Sequence, residues 1–216
     1  PDTSGIESLT EDNVTSADKD DIEAVKSQIE NAVTDLADDE TKEKYKEIAD
    51  KCDELLDKLE KVAEATDTEN TEKVKDVTAE NVTPEDKKDL EKAKDDLEKA
   101  LKDNGGNYTE DEKKAIEDEL GRIDEALEVI GNVEAVEELI DKLPENITKN
   151  NEDAIKAADD AYNALSDYEK SLVDEAAKKA LTDAKAALAE LNKPADPNSP
   201  ATGDNSNMFL WIALLF

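Results

Sequence analysis

Asn81-Val82-Thr83-Pro84-Glu85-Asp86-Lys87-Lys88-Asp89-Leu90 is matched 68 positions earlier by Asn13-Val14-Thr15-Ser16-Ala17-Asp18-Lys19-Asp20-Asp21-Ile22. A more diverged copy stands 65 positions later, as Asn146-Ile147-Thr148-Lys149-Asn150-Asn151-Glu152-Asp153-Ala154-Ile155. Three copies at this spacing mark tandem modules. The stretch also has a local meaning. Thr is a good helix N-cap, acids in the first turn suit the helix dipole, and Pro84 stands at a position where Pro is tolerated. Each copy therefore starts a helix, and Val14, Val82 or Ile147 just ahead of the cap is placed to act as a hydrophobic staple.

Working outward, the residues after each cap repeat an apolar side chain every three or four positions. The stripes are Ile22, Val25, Ile29, Ala32, Val33 and Leu36; Leu90, Ala93, Leu97, Ala100 and Leu101; and Ile155, Ala158, Ala161, Tyr162 and Leu165. This is the period of an amphipathic helix. Turns follow at Ala37-Asp38-Asp39, Asp103-Asn104-Gly105-Gly106-Asn107 and Ser166-Asp167, each leading into a longer second helix. In the first copy that helix carries Tyr45, Ile48, Cys52, Leu55, Leu59 and Val62, which puts Cys52 on the buried seam. In the second it carries Ile116, Leu120, Ile123, Leu127 and Ile130, then meets Gly131-Asn132, where a kink or stop is expected. A shorter stripe of Val133, Val136, Ile140 and Leu143 precedes the third copy. Its counterparts are Val74 and Val77 before the second and Ile6 and Leu9 before the first.

Two long helices joined by a short turn run antiparallel, and two alone bury too little apolar surface, so the connector or the next copy has to cover the rest. The expected fold is all-α, with tandem three-helix-bundle-like repeats in an elongated array. The units are 1–70, 71–132 and 133–193, followed by a disordered Pro-rich linker at 194–207 and a short apolar helix at 208–216.

Composition agrees with this class. Charged residues make up 40% of the 216-residue chain and aromatics only 3%, which favours long surface-exposed helices over a mixed sheet core. A net charge of −33 excludes binding to nucleic acid through phosphate neutralisation. With no His and a single Cys, His-based acid–base catalysis, a His/Cys zinc site and an intrachain disulfide are all excluded. Neither a Gly-rich phosphate loop nor an EF-hand loop is present, so no catalytic residue, cofactor or metal site is assigned. Asn13, Asn81, Asn107 and Asn146 each open an N-x-Thr triplet that also matches the glycan-acceptor pattern. The capping role already accounts for the Thr of the three copies.

The last 23 residues differ from the rest. Pro194, Pro197 and Pro200 end the helical pattern. The chain's only Trp (Trp211), only Met (Met208) and both Phe (Phe209, Phe216) fall in its final nine residues. A membrane-spanning helix takes about 20 apolar residues, so 208–216 reads as the start of a longer membrane segment. Pro1-Asp2-Thr3-Ser4-Gly5 has neither the basic nor the apolar region of a signal peptide. The chain thus reads as the C-terminal part of something longer.

Ser199-Pro200-Ala201-Thr202-Gly203, followed by Asp204 and this apolar run, resembles the cell-wall sorting signal of Gram-positive surface proteins, in a Ser-Pro-x-Thr-Gly form. The resemblance implies an extracellular protein held transiently in the membrane through 208–216. Sortase would cut it between Thr202 and Gly203 and join it to peptidoglycan. Ile140-x-x-Leu143-Pro144 with Ala158-x-x-x-Tyr162-x-x-Leu165-Ser166-Asp167 and Lys170-x-x-Val173 is similar to a short helical repeat of Gram-positive extracellular proteins. All three units are more loosely similar to FIVAR modules. These likenesses imply a non-enzymatic stalk. The alternative is an adhesin-type module whose bundles bind a host protein or a glycan.

Overall fold

A computed structural model describes residues 1–34 and 38–193, and Leu36, Ala37, the linker and the apolar tail lie outside the described residues. Among the described residues the chain is all-helical, with no strand. The α-helices are α1 (Lys19–Val33), α2 (Asp39–Glu64), α3 (Glu69–Val74), α4 (Lys87–Asn104), α5 (Glu110–Asp141), α6 (Glu152–Ala164), α7 (Asp167–Leu172) and α8 (Glu175–Leu191). None is long and apolar enough to cross a membrane.

The repeated motif folds the same way three times. Thr15, Thr83 and Thr148 are N-caps, and each forms a reciprocal capping box with the residue three positions on. Their backbone N–H groups donate to Asp18, Asp86 and Asn151, each at 2.8 Å. A short 3-10 turn then leads into α1, α4 and α6. The Asn of the motif shapes the preceding loop. Asn13 Oδ1 accepts from the Thr10 N–H at 2.6 Å and Asn81 Oδ1 from the Thr78 N–H at 2.7 Å, while their amides donate to the Ser8 and Asp76 carbonyls. Val14 and Val82 are completely buried, whereas Ile147 is half-buried. These side chains are core residues, since Val14 and Val82 belong to the apolar clusters and the N4 position expected of a staple partner is Lys19 or Lys87. The loop ahead of Ile147 is one residue shorter and contains Pro144.

Three apolar clusters result. The first joins Ile6, Val14, Ile22, Val25, Ile29, Cys52, Leu55 and Leu59. The second contains Leu90, Ala93, Leu97, Ile123 and Ile130 together with Val62, Val74 and Val82, and the third contains Val133, Val136, Ile140, Ala158, Leu165, Val173 and Leu181. Equivalent positions share the same burial. Ile22, Leu90 and Ile155 follow their motif Asn by nine residues and are 0%, 0% and 2% exposed. Ahead of the first copy the chain forms a 3-10 turn, Ser4–Ile6, whose end carbonyls Ile6 and Glu7 are capped by the Lys51 ammonium at 2.9 and 3.2 Å.

Surface ion pairs repeat the register. Thirteen residues after the motif Asn stand Lys26, Lys94 and Asp159. Lys26 meets Asp53 on α2 at 2.5 Å, and Lys94 meets Asp124 on α5 at 2.7 Å. In the third copy the signs are exchanged, with Asp159 meeting Lys185 on α8 at 2.5 Å. Exposed pairs of this kind contribute little to stability. Their value here is geometric, because the same rung recurs with either polarity.

Two sequence expectations are corrected. Gly131-Asn132 does not end the helix, because α5 runs unbroken from Glu110 to Asp141. Ile130 and Val133 on either side are 0% and 1% exposed, and their packing outweighs the roughly 1 kcal/mol that Gly costs in a helix. A boundary at 132/133 therefore falls inside a helix, and one at 70/71 falls inside α3. The second long helix of the third copy is instead split into α7 and α8. Val173 turns extended and is 2% exposed, and Asp174 restarts the helix by accepting from the Ala176 N–H at 2.6 Å. The Asp174 N–H is held in turn by Glu137 of α5 at 2.8 Å.

Candidate functional site

Ser199, Pro200, Ala201, Thr202 and Gly203, the candidate sorting residues, lie outside the described residues. Among the described residues no group of three or more His, Cys, Asp and Glu side chains is placed to hold a metal. Cys52 is wholly buried, and burial pushes its thiol pKa up, which disfavours the reactive thiolate. An open hollow of about 310 Å³ lies beside Ala65, Thr68, Asp96 and Asn104. The Asp96 carboxylate on its wall is already engaged, accepting from the Thr68 hydroxyl at 2.8 Å and the Asn70 amide at 2.9 Å.

The built features are the joints between copies. The turn between α4 and α5 reaches back onto the motif loop of the first copy. Asn107, 3% exposed, donates its amide to the Glu11 carbonyl at 2.7 Å and the Val14 carbonyl at 2.9 Å. Next to it, the Tyr108 hydroxyl donates to the Val62 carbonyl of α2 at 3.0 Å. Gly106 lies so close that a Cβ there would stand 2.7 Å from the Asp12 carbonyl oxygen. Lys58 of α2 completes the contact by donating to Asn104 Oδ1 at 2.9 Å.

The second joint uses the same plan with other side chains. At the start of α7, the Tyr168 hydroxyl donates to the Val82 carbonyl at 2.7 Å. Val82 is the equivalent of Val14, so in both joints the carbonyl just ahead of a capping Thr receives a side chain from the next copy, from the α4–α5 turn in the first and from the first turn of α7 in the second. Glu169, 9% exposed, closes the α7 capping box with Ser166 and accepts from Asn132 of α5 at 2.8 Å. Lys87 of α4 adds an ion pair to Glu134 of α5 at 2.6 Å.

Hydrogen bonds from the Ser166 hydroxyl side, Asn132 and the Ser166 N–H hold the Glu169 carboxyl below the usual carboxylate range. A lowered folded-state pKa means that the stabilisation is full above the ordinary glutamate range and is lost as pH falls through that range towards the folded value. Glu169→Gln keeps an acceptor but removes the charge. The stability gap between native and variant protein, read from urea midpoints, is expected to be largest near neutrality and to shrink as pH falls below the ordinary glutamate range. A gap that stays constant with pH would refute this role.

Sequence reasoning missed these joint residues. Gly105-Gly106-Asn107 reads as a generic turn, and Asn107-Tyr108-Thr109 as a glycan triplet. The buried, doubly hydrogen-bonded Asn107 amide leaves no room for a glycan in this fold. One signal was present. In a chain with four Tyr, two, Tyr108 and Tyr168, stand off the apolar stripes.

Comparison with protein-family models, with curated proteins and with solved structures returned no match.

Proposed function

We propose that the chain is the non-enzymatic stalk of a surface protein on a Gram-positive cell wall. Three three-helix repeats follow one another in an elongated array, and Thr202 is the residue through which sortase joins the chain to peptidoglycan. The observation that carries the stalk is the repeated joint, in which the carbonyls of Val14 and Val82 each receive a side chain of the next copy. Successive copies fixed by one rule make a spacer of defined length. The bundles offer a glycan little to stack on: Tyr108 is buried, Tyr45, Tyr162 and Tyr168 are half-buried, and two of the four hydroxyls are used within the joints. The anchor rests on the resemblance of Ser199 to Gly203 to a sorting signal, placed between a Pro-rich linker and an apolar run.

In the reaction the sortase thiolate attacks the Thr202 carbonyl. The Thr202–Gly203 bond breaks, Gly203 leaves as a free amine, and an incoming peptidoglycan amine displaces the thiol to form a new amide at Thr202. Pro200 supplies the bend and has no backbone N–H to satisfy. Incubating the purified chain with a sortase and a labelled oligoglycine should release the segment from Gly203 to Phe216 and attach the label to Thr202, as read by mass spectrometry. Thr202→Ala and Pro200→Ala should abolish the transfer. Labelling elsewhere, or none with the native sequence, removes the anchoring reading.

A further inference from the structure

The two joints differ in what crosses them. Between the second and third copies the backbone of α5 passes without a break, and Ile130 and Val133 face successive clusters only three residues apart. Between the first and second copies α2 ends at Glu64, residues 65–68 are not helical, and α3 starts at Glu69. There most of the polar contacts come from one short turn, Asn104 to Tyr108, and Ser16 adds one to Glu112 of α5. Those of the turn are the Asn107 amide on Glu11 and Val14, the Tyr108 hydroxyl on Val62, and Asn104 Oδ1 receiving Lys58. The first cluster draws its buried residues from Ile6 to Leu59 and does not need the second copy to be complete. Val62 is the apolar residue that reaches across from α2 into the second cluster.

We infer that the turn from Asn104 to Tyr108 is a latch closing a hinge at residues 65–68. With the latch withdrawn, the first copy turns as a body about 65–68, while the second and third copies move together on α5. The chemistry suits release. The carbonyls of Glu11, Val14 and Val62 can be taken up by water once the turn leaves, so opening breaks few bonds; the first cluster stays whole and the second gives up its contacts with Val62.

Spin-label pairs on the full chain test this. Glu54→Cys with Glu117→Cys spans the first joint, and Glu117→Cys with Lys156→Cys spans the second. All three sites are exposed, and Cys52 is buried away from the label. With the latch intact both pairs should give one narrow distance distribution by pulsed electron paramagnetic resonance. Asn107→Ala with Tyr108→Phe should broaden the first distribution about twofold and leave the second unchanged, at constant helix content. If helix content falls, Asn107→Ser with Tyr108→Phe is the replacement and the same comparison decides. A first pair that stays narrow in the variant, or two pairs that broaden together, overturns the latch.

Discussion

Ile123→Ala is expected to destabilise the protein more than any other single truncation considered, by about 2 to 5 kcal/mol. Ile123 is 0% exposed and sits in the middle cluster. Removing three carbons there loses transfer free energy and leaves a cavity that α4 and α5 can only partly close. The effect should not stay local, because Val62 from the first copy and Tyr168 from the third both pack on this cluster. Urea unfolding followed by far-UV circular dichroism should show the whole transition moving to lower denaturant. Leu55→Ala, in the first cluster and 2% exposed, is the comparison. It should move chiefly the part of the signal that belongs to the first copy. Equal effects on the full transition would mean that the middle cluster has no special place.

Gly106→Ala and Gly105→Ala should act with opposite sign although the residues are neighbours. A Cβ at position 106 would stand 2.7 Å from the Asp12 carbonyl oxygen, a backbone atom that cannot rotate away. The turn must then lift off the motif loop, and overpacking of this kind costs about 1 to 3 kcal/mol. Interface energy between neighbours is what makes an array of repeats unfold together. Gly106→Ala is therefore expected to split the urea transition, with an early phase from the first copy. At Gly105 a Cβ would meet nothing within 4 Å, and the backbone there lies at helical angles, φ −57° and ψ −27°. Alanine there should stabilise by about 0.4 to 1 kcal/mol, through loss of freedom in the unfolded chain. A single shifted transition in Gly106→Ala, or destabilisation by Gly105→Ala, would contradict this account.

What could be read from the sequence was what is encoded locally. The Thr caps need only their own following residues, and the stripes need only a period, so Ile22, Leu90 and Ile155 were identifiable as core before any packing was known. The readings that went wrong depended on tertiary contacts. Gly131-Asn132 looks like a break until Ile130 and Val133 are seen buried on either side of it. Val173-Asp174 looks like mid-helix until Val173 is found inside the third cluster and the Asp174 N–H on Glu137. The joint residues were hidden for the same reason, since Asn107 meets Glu11 and Val14 across more than ninety positions of sequence. The sorting residues are a different case. The reading proposed for them rests on a short motif, so it is carried by Ser199 to Gly203 without reference to the helices.

The unbroken α5 also sets an order of events during folding. Starting a helix is its slow, unfavourable step, and extending one already formed is easy. Once Ile116, Ile123 and Ile130 have condensed with α4, the turn carrying Val133 and Val136 needs only propagation. The third copy thus begins on a template already made by the second. The first copy, cut off from it by the non-helical residues 65–68, has to nucleate α1 and α2 for itself. Refolding should therefore proceed in two kinetic blocks, one of residues 1–64 and one of residues 69–193, rather than in three.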